Sequence, residues 1–283
     1  MKLSIIIRVK DDLRVARCLD SIDEDVEVVV VLNTPSKEVI ELLKKYNVVT
    51  TKINNNNLAK AHNRGIEVSK YEFVLLMDSD CVFKKGTINK LYQGLKSADL
   101  SKGRVLFNHS SFISKTIALS REYHVTDIEN AYSPPLAFKK GIDKYIGKYY
   151  FDEDIFWTED HEFDQRVKKA KLKINYNKKA IIYHDELSIT SDLRSAHNYG
   201  SGYFEGIKKG AIKGCFLYGG NKKILLAVGL DFIRLLCLPF FFLSVLIKKN
   251  IFVASYMIIW MVVFNLGYYR QMMFNHLNVG GKK

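Results

Sequence analysis

The sequence predicts an α/β protein with a parallel sheet, and three observations carry that prediction. Apolar runs at Leu3–Val9, Val26–Leu32, Val48–Ile53 and Glu72–Met77 alternate with stretches whose apolar residues fall at helical spacing. Alternation at this rhythm builds βαβ units. The fourth run is mostly continuous rather than in-out alternating, as expected of a strand buried on both faces. The fourth run stops abruptly at Asp78-Ser79-Asp80, and the carboxyl ends of strands are where open α/β folds place their ligands.

Each element has its own signal. Asp11 and Asp12 open a helical stretch with Leu13, Ala16, Leu19 and Ile22 on one face. Thr34 as N-cap and Pro35 at the first helical position start the next, with Val39, Leu42, Leu43 and Tyr46 turned inward. The run Asn54–Asn57 has no apolar content and reads as a loop on the same sheet edge as Asp78. Leu58, Ala61, Gly65 and Val68 suit a third helix, and Ile88, Leu91 and Leu95 a fourth over Gly86–Lys96. Gly103–Phe107 reads as a further strand, whereas Asn108–Tyr150 is irregular. Phe163, Val167, Ala170 and Ile174 predict a helix with Thr158 as N-cap, followed by short strands at Leu172–Tyr176 and Ala180–Tyr183.

The net charge of +13 is not spread evenly. Residues 206–283 hold 11 Lys or Arg and one acid, Asp231, leaving +3 for residues 1–205. The basic part is also the most apolar part, which points to an anionic membrane surface rather than nucleic acid. Leu225–Ile247 and Ile251–Tyr269 are apolar stretches separated by Lys248-Lys249-Asn250. The second is close to the ~20 residues that a bilayer crossing takes. A hairpin of two spans would put Lys248 and Lys249 outside, against the positive-inside tendency, whereas a shallow helical hairpin in the cytoplasmic leaflet keeps them among the headgroups; spanning and re-entrant forms both stay open. Four scattered cysteines without a Cys-x-x-Cys pair argue against a zinc or disulfide framework. Leu3–Ile7 is too short for a signal-peptide core, so the N-terminal body is expected in the cytoplasm.

Two carboxylates one residue apart at a strand end can hold a hard cation, which completes its shell with water and substrate phosphates. An ordinary acidic turn is the alternative. Glu159 and Asp160 open a helix, where an acid either acts as a base or simply complements the helix dipole.

In order and spacing, four blocks resemble the family 2 glycosyltransferases of the GT-A, nucleotide-diphospho-sugar transferase fold. They are Asn57-Leu-Ala-Lys-Ala-His-Asn63-Arg-Gly65-Ile, then Asp78-Ser-Asp80, then Phe151-Asp-Glu, then Thr158-Glu159-Asp160 with Arg166. The resemblance covers residues 2–185 and implies a Rossmann-like mixed central sheet flanked by helices. It implies a nucleotide-sugar-binding half over residues 1–100 and an acceptor and catalytic-base half over 101–205, with 206–283 as membrane-associated helices. Asp78, Asp80 and His184 are then the expected ligands of Mg²⁺ or Mn²⁺ on the donor diphosphate. Asp160, in the Glu159-Asp160 pair, is the expected general base, kept ionised by the helix dipole. Arg8, Lys10, Asn33, Asn57, Lys60, Asn63, Asp78 and Arg194 are the expected contacts of the nucleotide sugar.

Three positions depart from the family pattern around the nucleotide pocket: Arg8-Val9-Lys10 after the first strand, Asn33 where an Asp is common, and Asn57 where a Gly is usual. A Gln-x-x-Arg-Trp block of processive synthases is absent, so one sugar per encounter is expected. The function that follows is inverting, metal-dependent transfer of a sugar from a nucleotide-diphosphate donor to a hydroxyl of a lipid-linked or cell-surface glycan precursor, at the cytoplasmic face of the cell membrane. Two other readings stand beside it. One is a nucleotidyltransferase of similar fold, which Asp11-Asp12 in place of a basic Gly-rich loop argues against. The other is a non-catalytic, membrane-tethered nucleotide-sugar-binding protein.

Overall fold

A computed structural model describes residues 1–126, 129–213 and 237–280. The chain divides into two compact units, Met1–Asn108 with Glu122–Asp185, and His109–Arg121 with Glu186–Lys283.

The first unit is an eight-stranded mixed sheet in the order β3-β2-β1-β4-β7-β6-β8-β5. Strands β1 (Leu3–Val9), β2 (Glu27–Asn33), β3 (Val49–Ile53) and β4 (Phe73–Asp78) are parallel to one another, as the apolar runs predict. The later strands are β5 (Cys81–Phe83), β6 (Leu100–Phe107), β7 (Leu136–Lys139) and β8 (Ile174–His184). Antiparallel β7 continues the sheet beyond β4, and β6 and β8 run parallel to each other.

Helices α1 (Val15–Asp20), α2 (Lys37–Leu43), α3 (Leu58–Val68) and α4 (Thr87–Gly94) connect the strands, and α5 (Phe112–Val125) and α6 (Glu159–Lys169) follow. Helix α3 lies close on the sheet because Gly65 has no side chain. A Cβ there would stand 2.2 Å from Ile6 Cγ2. The core beneath joins Ile6, Val29, Val31 and Leu76 to Phe138, Phe151 and Phe163.

Several expected boundaries move. Helix α2 is capped by Ser36, whose hydroxyl accepts from the Val39 amide, while Thr34 sits at φ 47°. Pro35 therefore precedes the cap instead of following it. The two short strands expected around residues 172–183 are one strand, β8, with an irregularity in its register to β6 between Lys102 and Arg104. The irregular region resolves into α5, β7 and a 3₁₀ turn at Ile142–Lys144. Strand β5, three residues after an acidic turn, was not anticipated; its register partner is β8, 100 residues later in the chain, and no local pattern reveals such a pairing.

In the second unit, α7 (Ile189–Lys208) packs along α9 (Ile251–Gly280), and α8 (Cys237–Lys248) precedes α9. Helix α9 runs further than the expected Ile251–Tyr269, and Ile251–Asn275 is long and apolar enough to cross a membrane. Most of Leu225–Ile247 lies outside the described residues.

Candidate active site

The site forms where β1, β4 and β8 end and β5 begins, at the sheet edge the sequence pointed to. Register places Arg8 beside Asp78 on neighbouring parallel strands. The Arg8 guanidinium donates to Asp78 Oδ1 from Nε at 3.1 Å and from Nη2 at 2.5 Å. Its Nη1 stands 3.9 Å from Glu159 Oε1 and is buried without a hydrogen-bond partner, as is Glu159 Oε2. Arg8 thus stands between the carboxylate of one expected motif and that of the other. Burial opposes its charge, yet Asp78 and Glu159 outweigh that and raise its pKa.

Asp80 points to a different set of partners. Its Oδ2 lies 3.4 Å from His184 Nε2 and 3.7 Å from Arg14 Nη2. The His184 ring faces the Asp185 carbonyl oxygen through Nδ1 at 2.7 Å. A proton on Nδ1 donated there leaves the Nε2 lone pair directed at Asp80, the tautomer that suits metal ligation. Asp80, Cys81 and His184 together offer three ligand atoms within 4.8 Å of one another. A carboxylate and an available imidazole nitrogen fit a divalent cation. Burial raises the Asp80 pKa, with His184 acting in the opposite direction.

Around this pair runs a ring of charges that sequence reading missed. Asp12 accepts from Ser79 Oγ at 2.7 Å and from Arg14 Nε at 2.8 Å. Arg14 and Arg17 both reach Asp185 Oδ2, at 3.3 and 2.5 Å. The signal available in the sequence was Asp185 directly after His184, and two arginines three apart after Asp11-Asp12.

Glu159 and Asp160 form the first turn of α6. Thr158 holds the N-cap position, but its hydroxyl caps nothing and is buried unpaired. The preceding Trp157 sits at φ 68°, a left-handed conformation that costs a bulky residue energy. Asp160 Oδ1 accepts from the His161 amide at 2.7 Å. The helix end is not the largest influence on Asp160. Burial wins over that amide and over Arg8, and raises the Asp160 pKa to about 6. Burial and the neighbouring Asp160 charge push Glu159 further, to about 8. Lys102, buried on β6, donates to the carbonyls of Tyr132 and Pro134, and burial lowers its pKa to about 7.

The other expected contacts divide. Asn33, at the end of β2, donates to Asn56 Oδ1 at 3.0 Å and keeps its own Oδ1 buried and unpaired. Asn57 caps α3 by accepting from the Lys60 amide at 2.9 Å and donates to the Glu153 carbonyl. Asn63 holds the Phe151 backbone at both its amide and its carbonyl, at 3.1 and 2.8 Å. Both of these amides are therefore occupied in tying α3 to the 151–153 segment. Lys10 is exposed after β1. Lys60 lines a cleft of about 740 Å³ on the flank of α3 with Lys52, Asn54, Arg64 and Lys140, away from Asp78 and Asp80. Arg194 belongs to the second unit, exposed on α7.

The mixed sheet flanked by helices is a fold of the GT-A type. Residues 4–128 match the model for Glycosyl transferase family 2. Among solved structures, S. aureus TarS 1-349 in complex with UDP-GlcNAc is 18% identical with a TM-score of 0.53, covering 72% of this chain and 67% of that one. The same TarS fragment in complex with UDP is 20% identical, with a TM-score of 0.51 and coverages of 72% and 66%. Against the longer TarS structure (TM-score 0.53, 18% identity), 71% of this chain matches and spans 39% of that one. At this identity the likeness is one of fold. No curated protein matches the chain.

Proposed function

We propose that the chain is an inverting glycosyltransferase that moves one sugar from a nucleoside-diphosphate donor to a hydroxyl acceptor, with Asp160 as general base. The observation that carries the reading is the position of Arg8, which donates to Asp78 and stands 3.9 Å from Glu159, so that the two acidic motifs meet at one guanidinium. At neutral pH a carboxylate with a pKa of about 6 is mostly ionised yet more basic than an ordinary Asp. The acceptor oxygen attacks the anomeric carbon as its proton passes to Asp160. The bond from that carbon to the diphosphate oxygen breaks, and configuration inverts. Glu159, held largely protonated beside Asp160, leaves the negative charge of the pair on Asp160.

Asp80 and His184 would hold Mg²⁺ or Mn²⁺, whose charge offsets the charge growing on the leaving diphosphate. Asp78, engaged by Arg8, would serve the donor through that arginine. Lys10 and Asn33, at the ends of β1 and β2, would meet the nucleotide. The basic, apolar residues 206–283 support attachment at the cytoplasmic face of the cell membrane and a lipid-linked or surface-glycan acceptor.

The test is a thermal-shift screen of nucleotide sugars with and without Mn²⁺, starting from UDP-GlcNAc, the compound bound in the TarS structure. A true donor stabilises only the folded state. A hit followed by turnover that Asp160→Asn abolishes supports the reading. No shift with any donor, or full turnover in that variant, refutes it.

A further inference from the structure

Helix α9 passes every length and composition test for a membrane span, but its packing tells against one. Helix α7 lies along it in intimate contact. A Cβ on Gly200 would stand 1.9 Å from the Phe264 carbonyl oxygen, and one on Gly267 2.0 Å from that of His197. Side chains absent at these two crossing points let the backbones touch, which fixes the pair as one body.

Polar contacts bracket that crossing. Tyr256 donates to Asp192 at 2.7 Å, and Arg121 stands 3.3 Å from the same carboxylate. Toward the other end, Glu205 accepts from Gln271 at 2.8 Å and Asn275 at 2.7 Å, and Lys208 donates to Asn275 at 2.5 Å. Helix α7 itself has no membrane-crossing character. Its longest stretch without a charged residue is Ser195–Phe204, ten residues that include His197 and Asn198, where a crossing takes about 20 predominantly apolar ones. Standing α9 upright in a bilayer would drag Asp192, Arg194, Glu205 and Lys208 of α7 into or across the hydrocarbon, where ionised side chains are costly.

The opposite face of α9 has the reverse character. Phe252, Ile259, Leu266 and Met273 recur every seven residues and are each at least half exposed. Spacing of seven keeps a stripe on one side of a helix. Phe240, Leu243 and Ile247 of α8 are likewise exposed. A third segment, far away in sequence, joins at the start of α9: the exposed Phe112 ring on α5 packs edge-on against Phe252, with centroids 4.8 Å apart. Ile113 and Lys115 beside it are exposed too. Lys248 and Lys249 occupy the turn before α9.

We infer that the second unit binds one leaflet in the plane of the membrane: the α9 stripe, α8 and the first turn of α5 enter the acyl boundary, α7 stays on the aqueous side, and none of these described helices crosses. This rests on the membrane reading above and decides between its two forms. A bilayer rather than a second copy of the chain is the occupant, because residues 206–283 carry 11 basic residues against one acid. Two copies of so basic a segment would repel, whereas anionic headgroups attract it.

The experiment uses the full chain and sealed phosphatidylcholine vesicles with and without phosphatidylglycerol. Flotation is followed by labelling with a membrane-impermeant amine reagent, before and after detergent, and by peptide mapping. The expected result is flotation that needs phosphatidylglycerol, with Lys208, Lys248, Lys249 and the Lys282-Lys283 tail all modified from outside before detergent is added. Replacing Ile259 and Leu266 together by Glu, both exposed positions, should reduce flotation about tenfold with an unchanged circular dichroism spectrum. Flotation with Lys248 and Lys249, or the tail, protected until detergent opens the vesicles overturns the in-plane arrangement and leaves membrane attachment standing. A chain that does not float overturns both.

Discussion

Arg8 and Asp78 stand opposite each other on adjacent parallel strands, and the guanidinium closes on a single carboxylate oxygen through two of its nitrogens. This pair fixes the guanidinium in place where a donor diphosphate is proposed to lie. Breaking one side of a largely buried ion pair costs about 3 kcal/mol, because the partner is left charged and unpaired. Arg8→Met should therefore destabilise strongly, and Arg8→Met combined with Asp78→Asn should recover much of the loss. Chemical denaturation of the four proteins in a double-mutant cycle checks it, and additive costs would show that the pair is not coupled.

The raised pKa of Asp160 has two consequences with opposite signs. A base must be ionised, so kcat/KM should fall about tenfold per pH unit below about pH 6. For stability, an acid whose folded pKa lies above its ordinary 3.8 favours the fold only while protonated. That contribution is present below about pH 4 and is lost as the pH rises through about 6. Asp160→Asn, neutral throughout, should then be more stable than the parent near neutral pH, by about 1–2 kcal/mol after allowing for partial exposure. A melting temperature several degrees higher together with lost turnover is the expected pairing; a lower melting temperature contradicts it.

If Asp80 and His184 share a cation, each should matter to binding in the absence of donor. His184→Ala and Asp80→Asn are expected to weaken Mn²⁺ affinity about 10–100-fold by calorimetry. Asp185→Asn is expected to act less strongly, since His184 faces the Asp185 backbone carbonyl rather than its side chain. Unchanged affinity in both of the first two variants would remove the cation from this site.

Gly200 tests the helix pair in the second unit. Gly200→Val would force its side chain into the Phe264 carbonyl at 1.9 Å. Overpacking of this kind costs about 1–3 kcal/mol, and trypsin should cut the second unit sooner in the variant. Gly210, at the end of α7, has open space where a side chain would go and a positive φ of 71°; Gly210→Asn, tolerated in that conformation, should leave digestion unchanged.

The parallel half of the sheet and its acidic edge were legible because buried strands tend to be apolar and helices must repeat their apolar face, and both are local patterns. Asp78 and Asp80 could be picked out because charge at the end of an apolar run is conspicuous, whereas Glu159 and Asp160 stood out only through the family-like block they belong to. Asn57 and Asn63 show the limit of that reading. Their place in a family-like block marks them as donor contacts, while the fold occupies their amides with Glu153 and Phe151, about 90 residues away.

By itself, the sequence determined the fold class, the strand that ends in paired acids, and the separation of a basic, apolar tail. Only the tertiary structure decided that Arg8 belongs to Asp78, that Asp80 turns to His184, and that Asp160 titrates near 6 instead of near its ordinary value. It also decided that the apolar α9 is bound along its polar face to α7. Strand register and burial set these relationships between residues far apart in the chain, and neither quantity is written in any local window of it.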